Sequence, residues 1–340
     1  AGHYDSVERE FRGFGLLLQT DTEATPSQRV QAGFSAPLLS KTWFHTGIEI
    51  DPPCDGSSVH DPQAVPLNPT LVCTGHPDDK ATRLPWAPDE QMAREIARSL
   101  SGRVLRSELF NADDPRAPYA VIEHRACVGI LRPKGPHQPY AVVQPDNLET
   151  ISYQYEPHIP DDPLCQHLLN LAWDEYGNVT HAVTVYYARR KTANDEPPFS
   201  DEHQQQWWRD AHDDAQQKWY LTQEKAQYIH HLGEAQANLQ AWRLNLPYLA
   251  RSVALVLEKS TLSAADINHE NLRVRTLDNS EWARQAVLTS MSRQFYMDTL
   301  SNQPLAEGKA SFQALVAHRE SAELDANALG AYDRLLEERA

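Results

Sequence analysis

The stretch "NVTHAVTVYYARR", residues 178–190, constrains the fold more than any other part of the chain. Val179, His181, Val183, Val185 and Tyr187 alternate with Thr180, Ala182, Thr184 and Tyr186. A period of two places these sets on opposite faces of an extended strand and is incompatible with a helix. Both faces carry bulk, which predicts a sheet covered on both sides. The same alternation runs through 103–191. "RVLRSELF", "PYAVIEHRACVGILRP", "ETISYQYEP" and "CQHLLNLAW" all read as strands. They recur at a rhythm of about 10–20 residues with turn signals between them, an all-β spacing.

Around this block the chain is punctuated by turns. "DPPCDG", "HDPQAVPLNP" and "CTGHPDD" mark the first 75 residues as rich in Pro, Asp and Gly. A helix is predicted over 89–100, capped by Asp89, with Met92, Ile96 and Leu100 on one face and Gly102 at its end. "TLSAADIN" predicts a short helix with Ser263 and Asp266 in capping-box spacing. The segment 199–219 reads two ways: Ser200, Ala211 and Ala215 favour a helix, whereas Trp207, Trp208, Trp219 and Tyr220 favour strands at its ends. "KWYLTQEKAQYIHH", "LARSVALVLEK" and "NLRVRTL" read as strands, and "DANALGAYDRLLEER" as a terminal helix. No Gly- or Ser-rich linker divides the chain, so residues 1–340 are expected to be a single mainly-β piece with no internal boundary.

Charge narrows the partners. The 340 residues carry 31 basic and 47 acidic side chains, a net charge of −16. Such a surface repels nucleic acid and anionic lipid, so neither is an expected partner. No run of apolar residues is long enough for a membrane span. Cys54, Cys73, Cys127 and Cys165 lack C-x-x-C spacing, which argues against a zinc site or a disulfide framework and for free, mostly buried thiols.

No constellation of residues points to catalysis. His230 and His231 are adjacent and would face opposite ways in a strand. His203 and His212 lack an H-E-x-x-H frame, and there is neither a G-x-S-x-G elbow nor a Gly-rich phosphate loop. His45, Glu49 and Asp51 offer acid–base groups, but a chain with 47 acidic residues and 15 His produces such neighbours by chance. They are expected to be solvated loop residues. No catalytic, cofactor or metal residue is therefore assigned. Trp and Tyr residues at alternating strand positions are expected as core or cross-strand pairs.

"LAWDEYGNVTHAVTVYYARR" carries a further signal. Two strands flank Asp174-Glu175-Tyr176-Gly177-Asn178, where Gly177 and Asn178 suit the positive φ of a tight turn and Asp174 can bind turn amides. With this hairpin in view, the chain resembles the insecticidal toxin-complex B component of the Rhs/YD-repeat superfamily. The resemblance rests on "YDSVEREFRGFG", "QTDTEA", "KTWFHTG", "SGRVLRSELF", "APYAVIEHR", "ISYQYE", "LAWDEYGNVTHAVTVYYARR", "LSAADINHENLRV" and "HRESAELDANALGAYD", in that order. It spans nearly the whole chain and is thinnest over 199–245.

The resemblance implies a role. In that family the B component, with a C component, builds a hollow β-strand shell around a cytotoxic C-terminal segment of the C component. A propeller in the B component docks onto a pore-forming A component. This chain resembles the wall-forming region after the propeller, and the family's self-cleaving aspartate belongs to the C component. The implied fold is an extended strand spiral with a few short helices, in a secreted, non-enzymatic protein. "YDSVEREFRGFG" would then be one turn of a longer spiral. Arg9 and Arg12 would pair with Glu8, Glu10 or carboxylates of the next strand. Tyr4, Phe11 and Phe14 would lie against neighbouring strands. The alternative is a carbohydrate- or protein-binding β-domain of a cell-surface Rhs-like protein, recognisable by a groove with exposed Trp. A third reading, a hydrolase in the His-rich loops, requires a clustered His/Asp/Glu site.

Overall fold

The structure is a computed structural model, and it describes residues 2–6, 8–21, 27, 36–58, 61–75, 88–156, 159–232, 242–274, 281–322 and 329–330. The chain divides into two compact units whose segments interleave. The first comprises residues 1–169, 185–219 and 257–269, and the second residues 170–184, 220–256 and 270–340.

The first unit begins with β1 (Gly2–Asp5) and β2 (Glu10–Phe14), an antiparallel pair forming its own two-stranded sheet. The following strands are β3 (Leu16–Thr20), β4 (Leu38–Phe44), β5 (Leu71–Thr74), β6 (Val104–Asn111), β7 (Asp114–Arg132), β8 (Val142–Glu156) and β9 (Ile159–Trp173). Their order is β9-β8-β7-β6-β4-β3, with β5 added parallel to β7. At 19 residues β7 is long enough to serve two neighbours along one edge: its first half pairs with β6 and Cys127–Ile130 pair with β5.

Helix α1 (Glu90–Leu100) lies between β5 and β6. The Asp89 carboxylate accepts the Met92 amide at 2.8 Å, and Gly102 follows with φ of 80°. The apolar residues three and four apart do what the pattern demands. Met92, Ile96 and Leu100 pack with Val72, Ala126, Val128 and Ile130 into one buried cluster. A second cluster joins Val121, Ile151, Tyr153, Tyr155 and Cys165, with Ala64, Val65 and Leu67 packed against it. Val121 and the even-numbered Ala126, Val128 and Ile130 are of opposite parity on β7, so the two clusters cover opposite faces. The sheet is covered on both sides here, as the two-sided bulk of the strands predicts.

The second unit holds the β9–β10 hairpin, where β10 spans Val179–Tyr186, and most of β11 (Lys218–His231) and β12 (Arg243–Glu258). It also holds β13 (Val287–Asp298), β14 (Gln303–Pro304) and β15 (Val316–Ala322). β13 pairs antiparallel with β12, β14 and β15.

Several sequence expectations meet the structure closely. The run 218–231 is a strand over its whole length, and Ser263 and Asp266 form a capping box on a 3₁₀ turn, Ala264–Asp266. Others are corrected. Trp207 and Trp208 lie inside helix α2 (Glu202–Ala211), whose cap is Asp201 rather than Ser200. Asp201 accepts the Gln204 amide at 3.0 Å, and Glu202 and Arg209 suit the helix dipole at their respective ends. "NLRVRTL" is not a strand at its start: residues 271–274 belong to helix α3 (His269–Val274), with Glu270 in its first turn and Arg273 in its last. A further short helix, α4, spans Glu281–Gln285. The terminal helix over 325–339 lies outside the described residues, apart from 329–330.

Tyr4, Phe11 and Phe14 are exposed, Phe11 by 54%. Phe11 and Phe14 meet edge-to-face at 5.5 Å on the separate β1–β2 sheet, where their rings lie against Gly2 and their outer faces stay open. Arg12 pairs with Glu10 as expected and also with Asp5, whereas Arg9 occupies the turn with φ of 55°.

Candidate functional site

The registers Arg106↔Glu123, Arg125↔Glu149 and Ile151↔His167 set a line of polar side chains along one sheet face, shared with the Tyr153 cluster. Arg125 and Glu149 form a buried ion pair through Nη1 and Oε1. His167 Nε2 approaches Glu149 Oε2 at 2.9 Å, and its Nδ1 lies 3.1 Å from the Tyr187 hydroxyl. Burial pulls the Glu149 carboxyl up, but His167 and Arg125 outweigh it and hold it below its ordinary range. Nearby, Glu108 accepts from Ser58 N, Ser58 Oγ and Arg106 Nε.

These groups fasten a strap, residues 51–58 and 61–70, across the sheet. Arg125 Nε donates to the Pro69 carbonyl at 2.7 Å, and the Val65 amide donates to the Tyr153 hydroxyl at 2.8 Å. Trp43 Nε1 donates to the Asp55 carbonyl. Asp61 accepts both terminal nitrogens of Arg190, at 2.9 and 3.0 Å, and the Tyr155 hydroxyl at 3.1 Å. A cavity of about 220 Å³ remains beneath the strap, lined by Ser58, Asp61, Arg106, Glu123, Tyr153 and Tyr155 among others. The side chains here are committed to one another, so the geometry is that of a fastening. Arg125, Glu149 and His167 line neither this cavity nor the larger one beside α2.

The histidines and carboxylates singled out from the sequence are dispersed. His45 is 3% exposed, not solvated, and burial lowers its pKa. Glu49 and Asp51 are exposed, and Asp51 accepts the Thr70 amide and hydroxyl instead. His230 and His231 reach different neighbours, as opposite faces of β11 require. The Asn245 amide donates to His230 Nδ1, so the proton of the neutral ring sits on Nε2 and donates to Asp174 Oδ2 at 3.0 Å. Asp174 also accepts the Tyr176 and Asn178 amides and the Asn178 side chain, while Gly177 takes φ of 83°. The hairpin turn is thus clasped as its sequence predicts, although only Gly177 needs the positive φ.

His203 is exposed, whereas His212 is buried where α2 ends. Its Nδ1 donates to the Trp208 carbonyl at 2.7 Å, and its Nε2 lies 3.4 Å from Asp162 Oδ2. The same carboxylate oxygen receives Arg189 Nε at 2.9 Å. This group floors a cavity of about 380 Å³ lined by Glu156, Ile159, Arg189, Phe199, Gln204, Trp207, Trp208, Ala211, His212 and Gln216. The group joins residues as far as 50 positions apart, Asp162 and His212, so no local motif announces it. Among the described residues, no three His, Cys, Asp or Glu side chains converge as a metal site, and no helix is long and apolar enough to cross a membrane. The four cysteines are free, and Cys73 Sγ lies 4.0 Å from Cys127 Sγ, about twice the length of a disulfide bond.

The family described as "Insecticide toxin TcdB middle/C-terminal region" matches residues 95–244, and "Insecticide toxin TcdB middle/N-terminal region" matches residues 1–47. The first match includes the Gln- and Trp-rich segment where the motif resemblance is thinnest. No curated protein matches the chain in sequence. Among solved structures, TcdB2-TccC3 is similar over 98% of this chain, with a TM-score of 0.80 and 26% identity. A complex described as TcdB2-TccC3-Cdc42 gives 0.78 and 27% over the same share. The Tc holotoxin pore of Photorhabdus luminescens gives 0.76 and 25% over 97%. This chain spans 16% of the first matched chain and 15% of the other two. The order of the motifs, the two regional matches and the shared fold together establish that the chain belongs to the insecticide toxin TcdB family, the B components of insecticidal toxin complexes, and corresponds to part of their middle region.

Proposed function

We propose that the chain is a non-catalytic wall segment of a secreted bacterial toxin assembly. Its partner is a C component, with which it encloses a cytotoxic segment. A propeller elsewhere in the B component links it to the pore-forming A component. The observation that carries this reading is the similarity over 98% of the chain to TcdB2 solved together with TccC3. The physical organisation supports it: long strands covered on both faces, buried charges spent on fastening a strap, and no exposed cluster of catalytic groups among the described residues. The test is a TcdB2 chimaera in which the matching stretch is replaced by this chain, co-expressed with TccC3. The chimaera is expected to co-purify with TccC3 and to shield the enclosed segment from added protease. A folded chimaera that fails to retain TccC3 overturns the assignment. Turnover of any ester, glycoside or peptide substrate by the purified chain overturns the non-catalytic part.

A further inference from the structure

The cavity beside α2 has a lining unlike that of the strap. Beneath the strap, the polar groups are bonded to each other. Here the water-exposed side chains of Glu156, Gln204 and Gln216 border a space of about 380 Å³ and make no hydrogen bond or ion pair with a described residue. Arg189 is 8% exposed and bonds Asp162 through Nε alone, so the donors of its terminal nitrogens are unspent. Trp207 is 69% exposed at the same cavity, with Phe199 and Ile159 as further apolar lining. The size lies within the range of small-ligand sites, which combine apolar walls with a few convergent polar groups.

The chemistry selects the ligand. A quaternary ammonium suits aromatic walls but offers no acceptor to Arg189. A phosphate or other strong anion meets Glu156, an Arg189 charge already countered by Asp162, and a chain of net charge −16. A purely apolar ligand leaves Glu156 and the terminal nitrogens of Arg189 desolvated without a partner. A neutral sugar ring answers each demand. Its hydroxyls accept from Arg189 and the glutamine amides, and they donate to Glu156 and the glutamine carbonyls. Its C–H face lies against the exposed indole. We propose that this cavity is a binding site for a neutral hexose or N-acetylhexosamine unit of a glycan, with Trp207 as the stacking platform and Glu156, Arg189 and Gln204 as the hydroxyl contacts.

Because α2 is held by Asp201, Trp208 and His212, substitutions at Trp207 and Gln204 leave its anchoring intact. The purified full chain is applied to a glycan array, then titrated with free glucose, galactose, mannose and N-acetylglucosamine while tryptophan fluorescence and saturation-transfer NMR are recorded. At least one neutral sugar is expected to bind saturably. Trp207→Ala should weaken it at least about tenfold, the size of a lost aromatic contact of roughly 1.4 kcal/mol. Glu156→Gln and Gln204→Ala should change the preference among sugars while the melting temperature stays unchanged. The proposal is overturned by no binding to any array glycan, by Trp207→Ala binding as tightly as the parent, or by inorganic phosphate or choline displacing the sugar's signal. Neither outcome bears on whether the chain retains TccC3, so the two readings fail separately.

Discussion

Charges that leave water must find partners, and at residue scale the Glu149 group shows how closely this chain obeys that rule. Arg125, Glu149 and His167 are all buried. Removing one partner of such a pair strands the other, so Glu149→Gln should cost about 3–5 kcal/mol at neutral pH in urea melts. The sign of the pH dependence follows from the depressed carboxyl. Its contribution is full above the unfolded value of about 4.3 and is lost as pH falls through the lower folded value. The gap between parent and Glu149→Gln should therefore begin to close as pH falls through the unfolded value of about 4.3 and close fully only below the lower folded value, where the parent carboxyl is also neutral. A gap that stays constant down to pH 2.5, in roughly that range, would show that the pair carries no charge energy. The thiols give a second residue-scale expectation. Contact with Cys73 and burial push Cys127 well up, and burial takes Cys165 to about 12 and raises half-buried Cys54. An aromatic disulfide reagent at pH 8 should thus label the native chain slowly, at Cys54 first, and label all four only after unfolding. Rapid native labelling of Cys127 would contradict the packing of β5 on β7.

The elements divide by how local their cause is. α1, the β10 alternation, the Ser263 capping box and the Asp174 turn were legible because each is written within a dozen residues: a cap, a period, a turn carboxylate. α2 was ambiguous because Trp207 and Trp208 are strand-favouring residues, yet Asp201 and the helix formers behind it decide. β13 carries Ser, Arg and Gln on "VLTSMSRQF", and β15 is polar, so neither declares itself without its partner strand. The strap is the clearest loss. Its Pro- and Asp-rich sequence reads as turn punctuation, and only Tyr153, Arg125 and Arg190, 56 to 129 residues away, reveal what it lies on. Tyr153→Phe removes the acceptor for the Val65 amide and should cost about 1–2 kcal/mol, with faster proteolysis inside 51–70 as the local readout. Asp174→Ala frees two turn amides and His230 at once and should cost about 2 kcal/mol, with Asp174→Asn recovering part of it. Equal melts for parent and Asp174→Ala would mean that Gly177 alone sets the turn.

For the whole molecule, the decisive feature is apolar surface along strands that no described residue covers. β3 pairs with β4, and no other strand partner of it is described; Leu16, Leu17 and Leu18 on it are all exposed. Tyr4, Phe11 and Phe14 are exposed beside it in sequence, on β1 and β2. A strand with one edge unpaired among the described residues and three exposed leucines is a template for another strand, and the net charge of −16 slows approach without pairing any amide. The purified chain should therefore self-associate as concentration rises, measured by light scattering, and more strongly at high salt, where like-charge repulsion is screened. Leu17→Lys places a charge on the exposed face of β3 and should keep the chain monomeric without lowering its melting temperature by more than about 2 °C. If the wall reading is right, the same lysine should weaken assembly with the C component in the full-length protein, because the surface that drives self-association would be the one the shell covers. A parent chain that stays monomeric at high concentration and salt would show that β3 is already self-sufficient. The leucines would then count as ordinary surface residues.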